Sequence, residues 1–309
     1  MQQHQTLYAI GHKLAVLPLH PEAAGEPIIL LPGVSHSVGG WLTDTVFQDF
    51  GPCYALSLPG HYPAEFPVGF QTAHLTTELI ADLLARAIRQ IVGDRPVTVV
   101  GYSTGGYAAL ALAALHPTLV ARVVCIAGFA QGVWGGPIGA WQRQARGSWL
   151  DRARLWMLLS VMKHIPLSVF VRGSIWGQSA GDTPDLYQSD LLRPYAAGLH
   201  RYFSGFNPTS FMQYCRAMAK IDISPLLPRI AVPTLVLWGS RDPIVPPAQG
   251  RLIADLVPNA SPAIVPGAGH LLMIERPLEY ATIISDWLEQ TETIDHRTKG
   301  QRCKDAKRI

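Results

Sequence analysis

The stretch VTVVGYSTGGYAALALAALHP, residues 97–117, carries a β-branched run into a glycine, sets Ser103 two positions later and turns at once to small, helix-forming residues. A near-continuous apolar run is the mark of a strand buried on both faces of a parallel sheet, and Ala and Leu favour helix. The pattern predicts strand, tight turn and helix, with Ser103 at the turn. A second G-x-S-x-G, GQSAG at 177–181, nominates Ser179. That serine follows RGSIWGQ and precedes Asp-Thr-Pro, which reads as a helix cap after a loop. The strand–turn–helix context therefore selects Ser103 over Ser179.

A nucleophilic serine needs an exposed hydroxyl, a base beside it and backbone N–H groups aimed at the developing oxyanion. A sharp strand-to-helix turn supplies the exposure, and the N–H after the serine points the same way from the helix N-terminus, where the dipole favours negative charge. Thr104 is thus one expected oxyanion donor. The second is expected in the loop after PIILLPG (27–33), most simply Val34.

On either side of this turn the chain alternates strands and helices. PIILLPG and CYALSLPG (53–60) are short apolar runs ended by Pro-Gly, and residues 72–92 place Leu75, Leu79, Leu83, Ile88 and Ile91 at helical spacing. VARVVCIAG (120–128), PTLVLWG (233–239) and PAIV (262–265) read as further strands, a helix is expected near 248–257, and a last helix ends near Gln290. LYAIGHKLAVLPL (7–19) reads as a strand pair around Gly11. Such alternation implies an α/β fold with a mostly parallel sheet flanked by helices. The rhythm breaks between Phe129 and Lys220, a helical segment holding Trp134, Trp141, Trp149, Trp156 and Trp176 out of 8 tryptophans. The expected organisation is a core from 1–128 and 221–290, an inserted helical cap over 129–220, and a basic, disordered tail over 291–309.

The 309 residues, 48% hydrophobic and 15% charged, suffice for one large domain with an insertion and speak against general disorder. The net charge of +3 is concentrated near the C-terminus, without the basic–aromatic interleaving of a nucleic-acid arm. The 4 cysteines form no C-x-x-C pair or metal-ligand cluster, so no metal is expected. There is no charged start followed by a long apolar core at the N-terminus, and no apolar run approaches the ~20 residues of a membrane span. The expectation is a soluble cytoplasmic protein.

Partners for Ser103 are expected later in the chain, at carboxyl ends of later strands, in the order acid and then histidine. WGSRDPIVP puts Asp242 in a turn stiffened by Pro243, and VPGAGHLLMIERP puts His270 in a Gly-rich loop entering a helix. Glu275, Asp255 and Asp222 are fallback acids; His296 lies in the tail. Such a triad transfers an acyl group to water: His270 takes the Ser103 proton, and Asp242 fixes the imidazole tautomer and stabilises its cation.

LLPGVSHSVGGWL, LSLPGHYP, GYSTGGYAALALAALHP, PLLPRIAVPTLVLWGSRDPIVP and VPGAGHLLMIERPLEY together resemble, in order, the α/β-hydrolase fold superfamily over nearly the whole chain to about residue 290. The resemblance implies an eight-stranded, mostly parallel sheet, a cap inserted after the sixth strand, no cofactor, and hydrolysis of esters, thioesters, lactones or carbon–carbon bonds. The chain departs from the family in having Pro32-Gly33 where His-Gly is usual, and Ser57-Leu-Pro-Gly-His61-Tyr62 where Asp-Leu-Pro-Gly-His-Gly is usual. Ser103 in the nucleophile slot speaks against dehalogenase or epoxide hydrolase chemistry, which uses Asp there.

The cap offers Trp134 and Trp141 as substrate contacts, and His36 after the oxyanion loop either touches a leaving group or hydrogen-bonds to backbone. Trp141, Trp149 and Trp156, interleaved with arginines, read as cap packing, as an apolar acyl pocket, or as a basic amphipathic helix on an anionic membrane surface. The expected partner is a small hydrophobic ester or thioester. Acyl transfer to another acceptor, lyase chemistry, carbon–carbon hydrolysis and non-catalytic ligand binding remain the alternatives.

Overall fold

The apolar runs form one sheet whose inner strands are buried from both sides, while the first and last strands, at its edges, are partly exposed. The strands are β1 (Gln5–Ala9), β2 (His12–Pro18), β3 (Ile28–Leu31), β4 (Cys53–Leu56), β5 (Val97–Tyr102), β6 (Val120–Ile126), β7 (Thr234–Gly239) and β8 (Ala260–Val265). The computed structural model describes residues 3–34, 36–181 and 190–305. The eight strands lie in the order β1-β2-β4-β3-β5-β6-β7-β8. β1–β2 and β2–β4 are antiparallel, and every pair from β4–β3 through β7–β8 is parallel. The hairpin at Gly11 and the parallel remainder agree with the sequence pattern.

Side chains alternate across a strand, and here the alternation feeds two apolar layers. Ile29, Leu31, Val97, Val99, Val123, Cys125 and Val236 face helices α1 (Thr77–Val92) and α2 (Thr104–Leu115), which contribute Leu83, Leu84, Ile88, Tyr107 and Leu110. Ile28, Leu30, Val100, Val124, Ile126, Leu235 and Leu237 face the opposite layer, which holds Trp41, Phe47, Tyr280, Ile284 and Leu288. Because both faces are covered, β5 is buried throughout.

Between β6 and β7 the described chain folds into α3 (Gly136–Arg146), α4 (Trp149–Met162), α5 (Leu167–Trp176), α6 (Leu192–Phe203) and α7 (Pro208–Met218). The tryptophans there do not share one interior. Trp134 is buried, Trp141 packs edge-on against Phe211, and Trp149 and Trp156 are 69% and 50% exposed. Residue type alone does not say whether a tryptophan on a helix meets protein or water. After β7 come α8 (Pro247–Leu256), α9 (Leu272–Glu275) and α10 (Pro277–Asp305). Among the described residues no helix is long and apolar enough to cross a membrane.

Helix α10 corrects the expected tail. The sequence ends this helix near Gln290 and leaves 291–309 disordered, whereas the backbone stays helical to Asp305; residues 306–309 lie outside the described residues. Lack of an apolar period argues against burial, not against helix, and the polar residues beyond 290 are mostly tolerated in one. The boundary also falls on an anchor. Buried Arg122 of β6 donates to Glu26 at 3.0 Å, Thr98 at 3.1 Å and Thr291 at 3.3 Å, and lies 3.7 Å from Glu292. One guanidinium thus joins the segment entering β3, then β5, β6 and α10.

Removing one member of a buried charged network leaves the others uncompensated, at a cost of about 3 kcal/mol or more. Arg122→Ala should therefore lower the urea midpoint by at least that much in free energy, whereas Glu292→Ala, at a partly exposed ion pair, should cost under ~1 kcal/mol. Equal effects would show that Arg122 is not a structural clamp.

Candidate active site

Ser103 sits where β5 ends and α2 begins, with φ 54° and ψ −114°. A non-glycine residue at positive φ costs about 1–3 kcal/mol and persists only where its surroundings impose it. Here the Ser103 N–H donates to the Ile126 carbonyl at 2.8 Å, and its carbonyl accepts from the Tyr107 N–H at 3.1 Å. The flanking glycines are set by contact. A Cβ at Gly101 would lie 2.1 Å from the Gly105 carbonyl oxygen, and one at Gly105 would lie 2.2 Å from that of Leu31. The tight approach of helix to strand explains the motif.

The loops after β6, β7 and β8 are tied in step along the same rim. Beyond the strand ends, the Ala127 N–H donates to Leu237 at 2.7 Å, Ser240 to Val265 at 3.1 Å and Arg241 to Ala268 at 2.9 Å. Asp242 stands in the first turn after β7. Its Oδ1 accepts from the Ile244 and Val245 N–H groups at 2.8 and 2.9 Å. Its Oδ2 lies 2.7 Å from His270 Nδ1, and His270 Nε2 lies 3.0 Å from Ser103 Oγ. The structure brings together the three residues nominated from sequence, all of them buried.

The fallback acids go elsewhere. Asp222 accepts from Gln131 and Ser224 at the surface, and Asp255 is exposed on α8. Glu275 has a role that sequence reasoning missed. Its carboxylate accepts the N–H groups of Gly269 at 2.9 Å and Leu271 at 3.1 Å, flanking His270, and that of Ala180 at 3.0 Å. The His270 N–H in turn donates to the Gln178 carbonyl at 3.0 Å. Ser179 therefore belongs to a coil after α5 that braces the histidine loop, and it lacks a strand–turn–helix setting. A single buried acid five residues beyond the histidine, in an otherwise apolar turn, was the available signal for Glu275.

Thr104 opens α2, so its N–H has no acceptor within the helix; neither it nor the Val34 N–H donates to a backbone or side-chain acceptor among the described residues. His36 is buried beside the site, and its Nε2 lies 3.3 Å from the Tyr195 hydroxyl of α6. Burial, reinforced by nearby His270, holds its pKa down at about 3, so the ring is neutral near pH 7. The Tyr102 ring lies between the two imidazoles, with centroids 5.4 Å from His36 and 5.0 Å from His270.

Two cavities meet at His36 and Tyr195. The one under the helical insertion, about 190 Å³, is walled by Trp141, Leu159, Phe203, Phe206 and, next to the histidine, Leu271. Trp141 is on the wall of this cavity, and Trp134 packs into the core against Phe129 and lines neither cavity. Proximity to the rim in sequence did not reveal that the Trp134 ring turns inward. Among the described residues no group of three or more His, Cys, Asp or Glu side chains is arranged to hold a metal ion.

Known proteins share this framework. Over 205 residues the chain is 25% identical to a pimeloyl-[acyl-carrier protein] methyl ester esterase of Neisseria meningitidis, covering 63% of this chain and 71% of that protein. It is 26% identical over 193 residues to a pyrrolizixenacetamide deacetylase of Xenorhabdus hominickii, covering 62% and 65%. The enol-lactonase of Burkholderia xenovorans superposes with a TM-score of 0.70 at 20% identity, over 92% of this chain and 100% of that one, which shows the common fold. The model of the alpha/beta hydrolase family matches residues 28–283, from β3 into α10 and so across Ser103, Asp242 and His270, and to that family the chain belongs.

Proposed function

We propose that the chain is a serine hydrolase cleaving a carboxylic ester or thioester of a hydrophobic small molecule through an acyl-enzyme. The observation that carries this reading is the continuous hydrogen-bonded path from Asp242 through His270 to Ser103, at 2.7 and 3.0 Å. Ser103 Oγ attacks the carbonyl carbon while His270 Nε2 takes its proton, and the carbonyl electrons move to oxygen. That oxyanion is received by the N–H groups of Thr104 and Val34; losing one such donor typically costs about 3 kcal/mol of transition-state stabilisation. Collapse expels the alcohol or thiol, which leaves with the His270 proton. Water then attacks the acyl-enzyme with His270 again as base. Asp242 holds Nδ1 protonated and stabilises the imidazolium in both steps. Relatives named as a methyl ester esterase and a deacetylase support acyl cleavage.

Residues 129–220 act as a cap in this scheme, the apolar cavity beside Leu271 receiving the hydrophobic part of the substrate.

A fluorophosphonate probe should modify the protein once, on Ser103, as read by peptide mass spectrometry. Ser103→Ala should abolish the adduct and His270→Ala should slow its formation. Adduct on Ser179, or none on folded protein, would overturn the assignment. Among p-nitrophenyl esters, kcat/KM should rise from acetate by roughly fourfold per methylene until the cavity is filled. A clear preference for acetate would exclude the apolar pocket as the acyl site.

A further inference from the structure

The second cavity differs in character from the one under the cap. It has a volume of about 180 Å³ and lies between the loop after β3, the segment around residues 41–46 and the start of α10. Its wall carries one carboxylate, Asp44, which is half-buried. Asp44 Oδ2 accepts from the Tyr280 hydroxyl at 2.6 Å and Oδ1 from the Val46 N–H at 3.3 Å. Neither donor carries charge, and among the described residues no Lys or Arg lines the cavity. The rest of the polar lining is Thr43, Thr45, His36 and four aromatic side chains. Trp41, Tyr102, Tyr195 and Tyr280 line the cavity with the acid, and among the described residues the buried Tyr102 hydroxyl has no hydrogen-bond partner.

A carboxylate partly withdrawn from water gains from a cation beside it. Among the described residues lining the cavity none is a Lys or Arg, and aromatic side chains of this kind attract cations. His36 is neutral and so does not balance the charge. The cavity also adjoins the triad through shared walls: Tyr102, which lines it, immediately precedes Ser103 and lies tilted against His270 at 5.0 Å between ring centroids, and His36 and Tyr195 line both cavities. Building on the hydrolase reading above, we propose that the Asp44 cavity is a subsite for a substituted ammonium group of the substrate. The substrate is then a cationic amphiphile, its apolar part under the cap and its charged end between Asp44 and the aromatic rings. This departs from the expected small hydrophobic ester or thioester by giving the substrate a charged end.

The carboxylate must be ionised to act. The groups facing it are Tyr280 from α10, Tyr195 from α6, His36 and Tyr102 from the loop and strand beside Ser103, and Cys53 from β4, whose thiol is pushed to about 12 by burial and by the Asp44 charge. None of these is cationic near neutrality. Burial raises the Asp44 pKa to about 6, so the site is charged above that value and loses its charge as pH falls through it.

Choline and its uncharged isostere 3,3-dimethylbutan-1-ol separate charge recognition from apolar filling. Calorimetric titration of the full chain should give choline an affinity at least about tenfold higher than the alcohol at about pH 8. That ratio should collapse toward unity at about pH 5 and in Asp44→Asn, where the amide keeps an oxygen for the Val46 N–H. The ratio cancels any general loss in the variant, and the wild-type pair and its pH dependence stand without it. Equal affinities, no choline binding at about 10 mM, or a preference that survives both Asp44→Asn and low pH would overturn the proposal. Titration does not depend on Ser103. Protein that selects choline but resists the fluorophosphonate would refute the hydrolase reading alone, and labelled protein without choline selectivity would refute the subsite alone.

Discussion

The account rests on the contact between Asp242 and His270. An imidazole in water samples both tautomers and many orientations, and only one combination presents a bare Nε2 to a neighbouring hydroxyl. Here the choice is made by a carboxylate with little freedom of its own. One Asp242 oxygen is held by two backbone N–H groups in the turn before Pro246, which leaves the other directed at Nδ1. The histidine is held from the far side as well, because Glu275 grips the peptides on both sides of it and the Gln178 carbonyl takes its own N–H. These bonds are mostly buried, where solvent competes little. The orientation of the His270 imidazole is therefore a property of the folded rim.

That rim follows from the sheet. Parallel strands place their carboxyl ends on one edge, and the ladder continues through Ser103, Ala127 and Ser240 after the strands have ended. The positive φ at Ser103 is imposed by the same crowding that requires Gly101 and Gly105, since both glycines lie where backbone meets backbone. Strain at Ser103 and close packing of α2 on the sheet have one cause.

Much of this was legible in the sequence, and the reasons are local. Apolar runs ended by Pro-Gly or Gly mark strands, so β3 to β8 and the turn at Ser103 were visible as patterns of residue type, although the edge strand β8 is partly exposed. Asp242 and His270 were legible because each follows such a run in a loop. What the sequence hid depends on where distant elements meet. Glu275 looked like a spare acid because the peptides it binds are brought to it by the fold. Asp44 and Tyr280 are 236 residues apart, and no periodicity joins them. The orientations of Trp134, Trp149 and Trp156 turn on which helix face meets the core, and helix formation past Gln290 does not require the apolar stripe whose absence suggested a tail.

A substrate held by this molecule would have a reactive carbonyl at the rim, an apolar part under α3–α6 and a further group at the Asp44 cavity, with His36 and Tyr195 between the two spaces. Binding remote from the carbonyl then fixes its position against Ser103, which is how such contacts contribute to rate. The central claim, that Asp242 orients the base, is tested most directly by comparing Asp242→Asn with wild type in the single-turnover rate of Ser103 acylation. The account predicts a fall on the order of 10⁴ with the fold unchanged by circular dichroism. A rate within about tenfold of wild type would contradict it.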